Sequence, residues 1–151
     1  MTVTRLLCFS SVAALAIGCS SDVTSPPFRN FVYSAAAGGC GPADEPAVVI
    51  FLAPKPVLQL NPGPPVVWVF VPAAPTELTA HAWPIGPSTA AGAWFQLDAS
   101  TPEIAGTGSM SVSSIGADKT VNGSLDLQFP NVGIIASEFH ATWLSDSFYC
   151  I

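Results

Sequence analysis

The chain has 151 residues, of which 50% are hydrophobic and only 9% are charged, a size that suits one domain with a substantial core. Ten acidic residues against four basic ones give a formal charge of −6. So acidic a chain binds neither a phosphate backbone nor an anionic lipid surface by electrostatics, and nucleic acid is therefore not an expected partner.

Residues 1–18 have the pattern of a secretory signal peptide. Arg5 is the only charge before Asp22, and behind it runs the apolar stretch LLCFSSVAALAIG. This stretch has the length of a signal-peptide hydrophobic region and is shorter than the roughly 20 apolar residues that span a bilayer. We predict export with loss of residues 1–18, which leaves three cations against ten acids and a formal charge of −7.

The end of this segment, Ala16-Ile17-Gly18-Cys19, resembles a bacterial lipobox. The resemblance implies that Cys19 carries a diacylglycerol thioether, that the chain is cut before it, and that the new amine takes an acyl chain such as palmitate. Two or three such chains hold a protein firmly in a bilayer. Because Ser20 rather than Asp follows the cysteine, the resemblance implies an outer-membrane lipoprotein. Cleavage nearby by an ordinary signal peptidase, giving a soluble exported protein, is the alternative.

The mature chain then divides into a tether and one domain. Residues 19–27 serve as lipid anchor and tether, because SSDVTSPP is polar and ends in two prolines. Polyproline-like extension of these eight residues reaches roughly 25 Å, which keeps the domain close to the membrane. Residues 28–151 form the single domain.

Export also affects the remaining cysteines, because an oxidising compartment favours disulfides. Cys8 lies within the signal peptide, so the one available pairing is Cys40–Cys150. Cys40 stands in the glycine-rich stretch AGGCGP, which we interpret as a loop, and the bridge would fasten the C-terminus to it. Two free, buried thiols are the alternative. The cysteines show no zinc-ligand spacing.

Fifteen prolines and twelve glycines interrupt nearly every stretch long enough for a helix. What remains is a series of short runs of strand length, with turn residues about every ten positions. The predicted strands in chain order are Phe31–Ser34 at a sheet edge, Ala47–Leu52, Val66–Val71, Thr76–Trp83, Ala93–Asp98, Thr107–Ser114, Val121–Phe129 and Gly133–Leu144. This spacing predicts an all-β domain, an antiparallel β-sandwich or alternatively a small β-barrel.

The last three runs alternate apolar and polar residues, which predicts an antiparallel meander with one solvated face. Turns are expected at Gly116–Lys119 and Pro130–Gly133. Asn122-Gly123 is a hairpin signal, but we interpret it as a bulge or twist point because the alternation continues through it. The uncharged run VVWVFV, residues 66–71, is expected to be buried on both faces; a lipid-inserting or partner-binding segment is the alternative.

The tail, GTGSMSVSS…VNGSLDLQFPNVGIIASEFHATW…C, resembles the C-terminal strands of small uncharacterised β-rich lipoproteins of Gram-negative, myxobacterial-type bacteria. The similarity covers roughly residues 106–150. It implies a β-rich fold and export, with no assigned activity.

The sequence holds no nucleophile elbow, HExxH motif or phosphate-binding loop, and we expect neither a cofactor nor a bound metal. Its two histidines lie in predicted strands, and His81, His140 and Glu138 would form a two-histidine, one-carboxylate metal site if those strands were neighbours. A solvated strand face is the alternative interpretation. Trp83 and Trp94 border a Pro- and Gly-containing loop and are candidate binding residues, since tryptophans are enriched in recognition sites.

Two functions therefore remain open. We predict a non-catalytic structural or binding role at the cell envelope, with an envelope protein or a glycan as the unidentified ligand. The alternative is a small envelope hydrolase or metal-dependent enzyme that uses His81, His140 and Glu138.

Overall fold

The computed structural model describes residues 31–41 and 44–149, with side chains described as far as residue 145. These residues form nine strands: β1 (Tyr33–Cys40), β2 (Pro46–Ala53), β3 (Val66–Val71), β4 (His81–Ile85), β5 (Gly92–Gln96), β6 (Glu103–Ile104), β7 (Thr107–Ile115), β8 (Val121–Phe129) and β9 (Gly133–Tyr149). Within that part of the chain we find no helix long and apolar enough to cross a membrane. The all-β prediction is confirmed.

All nine strands belong to one curled sheet in the order β4-β7-β8-β9-β1-β2-β3-β5-β6. The long strand β9 joins its two halves. Residues 133–141 pair with β8 in antiparallel fashion, and from Thr142 onward β9 pairs with β1 in parallel. The sheet is therefore mixed rather than wholly antiparallel. The parallel pair arises because the first and last strands are neighbours and run in the same direction, which a hairpin cannot achieve.

The curl brings the two halves of the sheet together around one main core. Its members alternate along the strands with residues of the other face: Val48, Ile50, Leu52, Val67, Val69, Val71 and Phe95 from one half, and Met110, Val112, Leu125, Leu127, Phe129, Ile135 and Phe139 from the other. A second apolar cluster lies on the opposite face of β1, β2 and β3 and includes Phe51, Trp68 and Phe70. Strands buried on both faces are uniformly apolar, which explains VVWVFV and confirms its predicted burial.

The antiparallel meander β7-β8-β9 is confirmed together with both of its turns. Lys119 takes a positive φ of 62° in the first turn and Gly133 a φ of 88° in the second. The register shifts between Val112 and Ser114 of β7, opposite Asn122 and Gly123. The expected irregularity is therefore present, and the extra residue belongs to the neighbouring strand β7.

Three local predictions were wrong. Cys40 does not lie in a loop but is the last residue of β1, and β1 lies in the middle of the sheet rather than at its edge. Small residues with weak strand preference pair here because β2 and β9 flank them on both sides. In the stretch Thr76–Trp83 only the last three residues are in β4, which begins at His81, and the short edge strand β6 was not predicted.

Candidate functional site

A polar groove of about 770 Å³ opens on the outer face of β8 and β9, beside the start of β1. Its lining combines hydroxyl, amide, imidazole and carboxylate groups with apolar side chains. The lining residues are Phe31, Val32, Ser34, Ser113, Asn122, Gly123, Ser124, Ser137, Glu138, Phe139 and His140. We refer to this set as the polar groove.

The groove forms where β1 and β9 separate. Their parallel pairing begins at Ala35 and Thr142, and just before this point the Ser34 hydroxyl oxygen accepts a hydrogen bond from the backbone N–H of His140 at 3.1 Å. The chain before Ser34 therefore forms one wall and β9 forms the other. Phe31 is buried and packs edge-to-face on Phe95 with ring centroids 6.3 Å apart, which anchors the first wall in the main core.

Asn122 orients the imidazole of His140. The Asn122 side-chain nitrogen donates to the Ser114 hydroxyl at 3.1 Å, so its oxygen faces the ring and accepts from Nδ1 of His140. In the neutral imidazole this leaves Nε2 as the acceptor. The Ser113 hydroxyl donates to the backbone carbonyl of Asn122 at 3.2 Å, which links the bulged strand β7 to the main chain of the same residue.

Serine hydroxyls supply most of the remaining polar lining. Ser124 shares a hydrogen bond of 2.9 Å with Ser111 on the neighbouring strand, and Ser137 donates to the carbonyl of Glu138 at 2.8 Å. Because a hydroxyl can donate one hydrogen bond and accept two, these serines keep further hydrogen-bonding capacity for a ligand.

The electrostatics of this region are set by carboxylates. Glu138 is an exposed member of the groove lining. In the neighbouring turn the backbone N–H of Thr120 donates to Asp118 at 3.1 Å and lowers the pKa of that carboxyl; the Thr120 hydroxyl and the charge of His140 act in the same direction. Carboxylates beside one imidazole favour neutral or cationic ligands over anions.

The structure brings together Glu138 and His140 but not His81. His81 is in register with Val112, on the side of β4 that turns toward the main core, whereas His140 and Glu138 alternate with the core residue Phe139 and face outward. β4 and β9 are also three inter-strand steps apart, roughly 14 Å. Among the described residues no three His, Cys, Asp or Glu side chains group closely enough for a metal.

Trp83 and Trp94 lie in different apolar clusters. Trp83 packs against the main core and makes an edge contact with His81 at 4.8 Å, and Trp94 packs in the second cluster, 4.8 Å from Phe70 and 6.1 Å from Trp68 between ring centroids. Both are half-buried, and neither lines the polar groove. A binding role for them stays a prediction.

Cys19 and Cys150 lie outside the described residues, so the lipidation site and the far end of the predicted bridge stay predictions. The groove contains residues that the sequence analysis did not propose for a site, chiefly Ser34 and Asn122. Two signals were available but were interpreted only as structural features: the alternating serines of the tail, and the Asn-Gly pair that marks the bulge.

Comparisons of the chain with protein-family models, with curated proteins and with solved structures found no match. The function is therefore inferred from the groove and from the sequence.

Proposed function

We propose that this chain is an exported, lipid-anchored domain of the cell envelope that binds a saccharide in the polar groove without turning it over. The observation that carries the proposal is the composition of the groove, which combines hydroxyl, amide, imidazole and carboxylate groups in a space of about 770 Å³. This volume lies within the range of roughly 300–1,000 Å³ that small-molecule sites occupy.

A saccharide fits because each sugar hydroxyl both donates and accepts hydrogen bonds. Glu138 and Nε2 of His140 offer acceptors, and Ser124 and Ser137 offer groups of either kind. Carboxylates in and beside the groove, on an acidic chain, disfavour phosphate or sulfate as the recognised group.

The non-catalytic part of the proposal rests on the surroundings of His140. Its Nδ1 is engaged by Asn122 rather than by a carboxylate that would raise its basicity, and His81 belongs to the other face of the sheet. Binding, rather than proton transfer, is the role that this arrangement serves best.

The anchor is supported by the sequence AIGC at residues 16–19, which resembles a lipobox, and by the resemblance of the tail to β-rich lipoproteins. Since Ser20 follows Cys19, we place the protein in the outer membrane of a Gram-negative host.

We also propose that Cys40 and Cys150 form a disulfide. One observation supports the pairing: the parallel register sets Gly39 opposite Tyr149, and in the sequence a cysteine follows each of these two residues. Adjacent strands are about 4.8 Å apart, within the range of Cα separations that a disulfide bridges.

Calorimetric titration of the purified protein with peptidoglycan fragments and lipopolysaccharide core oligosaccharides tests the binding proposal. Glu138→Gln should weaken binding about tenfold or more, since a hydrogen bond to a charged group contributes roughly 1.5–3 kcal/mol. Asp126→Asn is the matched control, because Asp126 is an exposed carboxylate of β8 outside the groove lining.

Two results would overturn the proposal. One is the absence of saccharide binding across the panel at millimolar concentration. The other is an equal effect of Glu138→Gln and Asp126→Asn. Stoichiometric metal in the purified protein, or a hydrolase activity that a folded His140→Ala variant loses, would contradict the non-catalytic part.

A further inference from the structure

We infer that the end of the sheet at which β1 begins rests in the lipid interface of the membrane that holds the anchor. We call this surface the entry end and define it by four exposed apolar side chains: Val32, Tyr33, Leu58 and Leu97. The inference rests on the proposed lipid anchor and adds a second, non-covalent contact with the same bilayer.

The strand register gathers these four residues although they are distant in sequence. Tyr33 at the start of β1 lies opposite Ala53 at the end of β2, so the loop 54–65 that carries Leu58 leaves from this end. Val66 at the start of β3 lies opposite Gln96 at the end of β5, so Leu97 begins the next loop at the same end.

Each of these side chains is substantially exposed: Leu58 by 84%, Val32 by 71%, and Tyr33 and Leu97 by 43% each. Single exposed apolar residues are ordinary, but apolar residues grouped at one end mark an interaction surface. Tyr33 adds a side chain that is enriched at membrane–water interfaces.

The loops at this end are internally fixed. The Gln59 side chain donates to the Asn61 carbonyl at 3.0 Å, directly after Leu58. In the other loop the backbone N–H of Ser100 donates to the Asp98 carboxylate at 2.7 Å, and Gln96 donates to the Ser100 carbonyl at 3.1 Å. Leu58 and Leu97 are therefore presented from ordered turns, which lowers the entropy cost of placing them in an interface.

The charges distinguish the two ends of this half of the sheet. The entry end carries Lys55, Asp98 and Glu103, which begins β6 opposite Phe95. The turn between β1 and β2, at the opposite end, includes the acidic residues Asp44 and Glu45. Lys55 therefore gives the entry end a cation whose stem can lie along the interface with its ammonium in water.

The length of the tether also supports a membrane contact at the entry end. The described chain starts at Phe31, at the entry end, and residues 20–30 separate it from Cys19. Eleven residues extend at most about 36–40 Å, so this end stays near the bilayer. The anchor raises the local lipid concentration, and even a weak apolar contact is then populated.

A photo-crosslinking experiment on the lipidated full mature protein tests the inference. Leu58 is replaced with p-benzoylphenylalanine in one variant. In the matched control the same substitution is made at Glu45, in the turn between β1 and β2 at the opposite end. Both proteins are reconstituted into phosphatidylcholine–phosphatidylethanolamine vesicles, irradiated and analysed by intact mass. We expect lipid adducts at position 58 at several times the yield at position 45.

Equal lipid yields at the two positions, or crosslinks at position 58 to a second copy of the chain in place of lipid, would overturn the inference. The mass before irradiation reports the anchor separately. An unlipidated Cys19 therefore contradicts the proposed function, whereas a lipidated protein without adducts at position 58 contradicts only the contact at the entry end.

Discussion

Gly123 shows how a single residue allows the polar groove to form. A Cβ atom at this position would collide with the backbone oxygen of Ser111 and lie 2.5 Å from Cζ of Phe139. Both neighbours are held in strands, so neither can move aside without disturbing the sheet. Glycine therefore permits β7, β8 and β9 to approach closely at the bulge beside Asn122.

Gly123→Ala should lower the free energy of unfolding by about 1–3 kcal/mol, the cost of overpacking a well-packed site. Urea unfolding followed by tryptophan fluorescence measures it. The matched control is Gly92→Ala, also in a strand, where an added Cβ meets nothing within 4 Å. Equal effects of the two substitutions would show that close packing at the bulge is not the reason for glycine.

Asp118 gives the turn between β7 and β8 a dependence on pH. Its pKa is lowered first by the backbone N–H of Thr120, so the carboxylate stabilises the fold above the unfolded-state pKa, and this contribution is lost as pH falls through the folded-state pKa. Asp118→Ala should therefore lower Tm at pH 7, and the difference from the unmodified protein should shrink in strong acid. Thermal unfolding between pH 2 and pH 7 checks this, and a difference that is constant or grows toward acid would refute it.

For individual residues, the sequence predicted correctly which side chains of the tail point inward and which point outward. A period of two in the tail placed Leu125 and Leu127 inward and Glu138 and His140 outward, as observed. Alternation can be predicted locally, because successive side chains of any strand point to opposite faces. The contacts across the groove depend instead on the tertiary fold. Ser34 contacts His140 only because the first and last strands are neighbours.

Strand β9 determines how the two halves of the sheet are joined. It is antiparallel to β8 in its first part and parallel to β1 in its last part, so it belongs to both halves of the sheet. The tail pattern predicted where β9 begins but not how far it extends. In β1 the stretch AAAGG has weak strand preference, and pairing on both sides determines its conformation. Because β1 and β9 are far apart in sequence, no local periodicity indicates that they pair.

Removing the proposed bridge between these two strands should destabilise the domain. The chain-entropy model gives about 4–5 kcal/mol for a closed loop of roughly a hundred residues, although engineered bridges often contribute less. Cys150→Ser should therefore lower Tm, and Cys40→Ser should lower it equally. The double substitution should cost no more than either single one. Additive effects, or two thiols that titrate in the unfolded, unreduced protein, would exclude the bridge.

At the scale of the whole molecule, the strand order accounts for both the success and the failure of the site predictions. Glu138 and His140 share one face of one strand, so the sequence alone could place them together. His81 required knowledge that β4 lies at the sheet edge and turns this residue toward the other face. The same order places the entry end and the polar groove at neighbouring points where β1 begins.

The proposed envelope location and the proposed lipid contact of the entry end both depend on modification of Cys19. Intact-mass measurement of the mature protein, extracted from the membranes of its native host, tests this most directly. We predict a chain that begins at Cys19 and carries the added mass of a diacylglycerol and an amide-linked acyl chain. An unmodified Cys19, or a chain that begins at another residue, would contradict it.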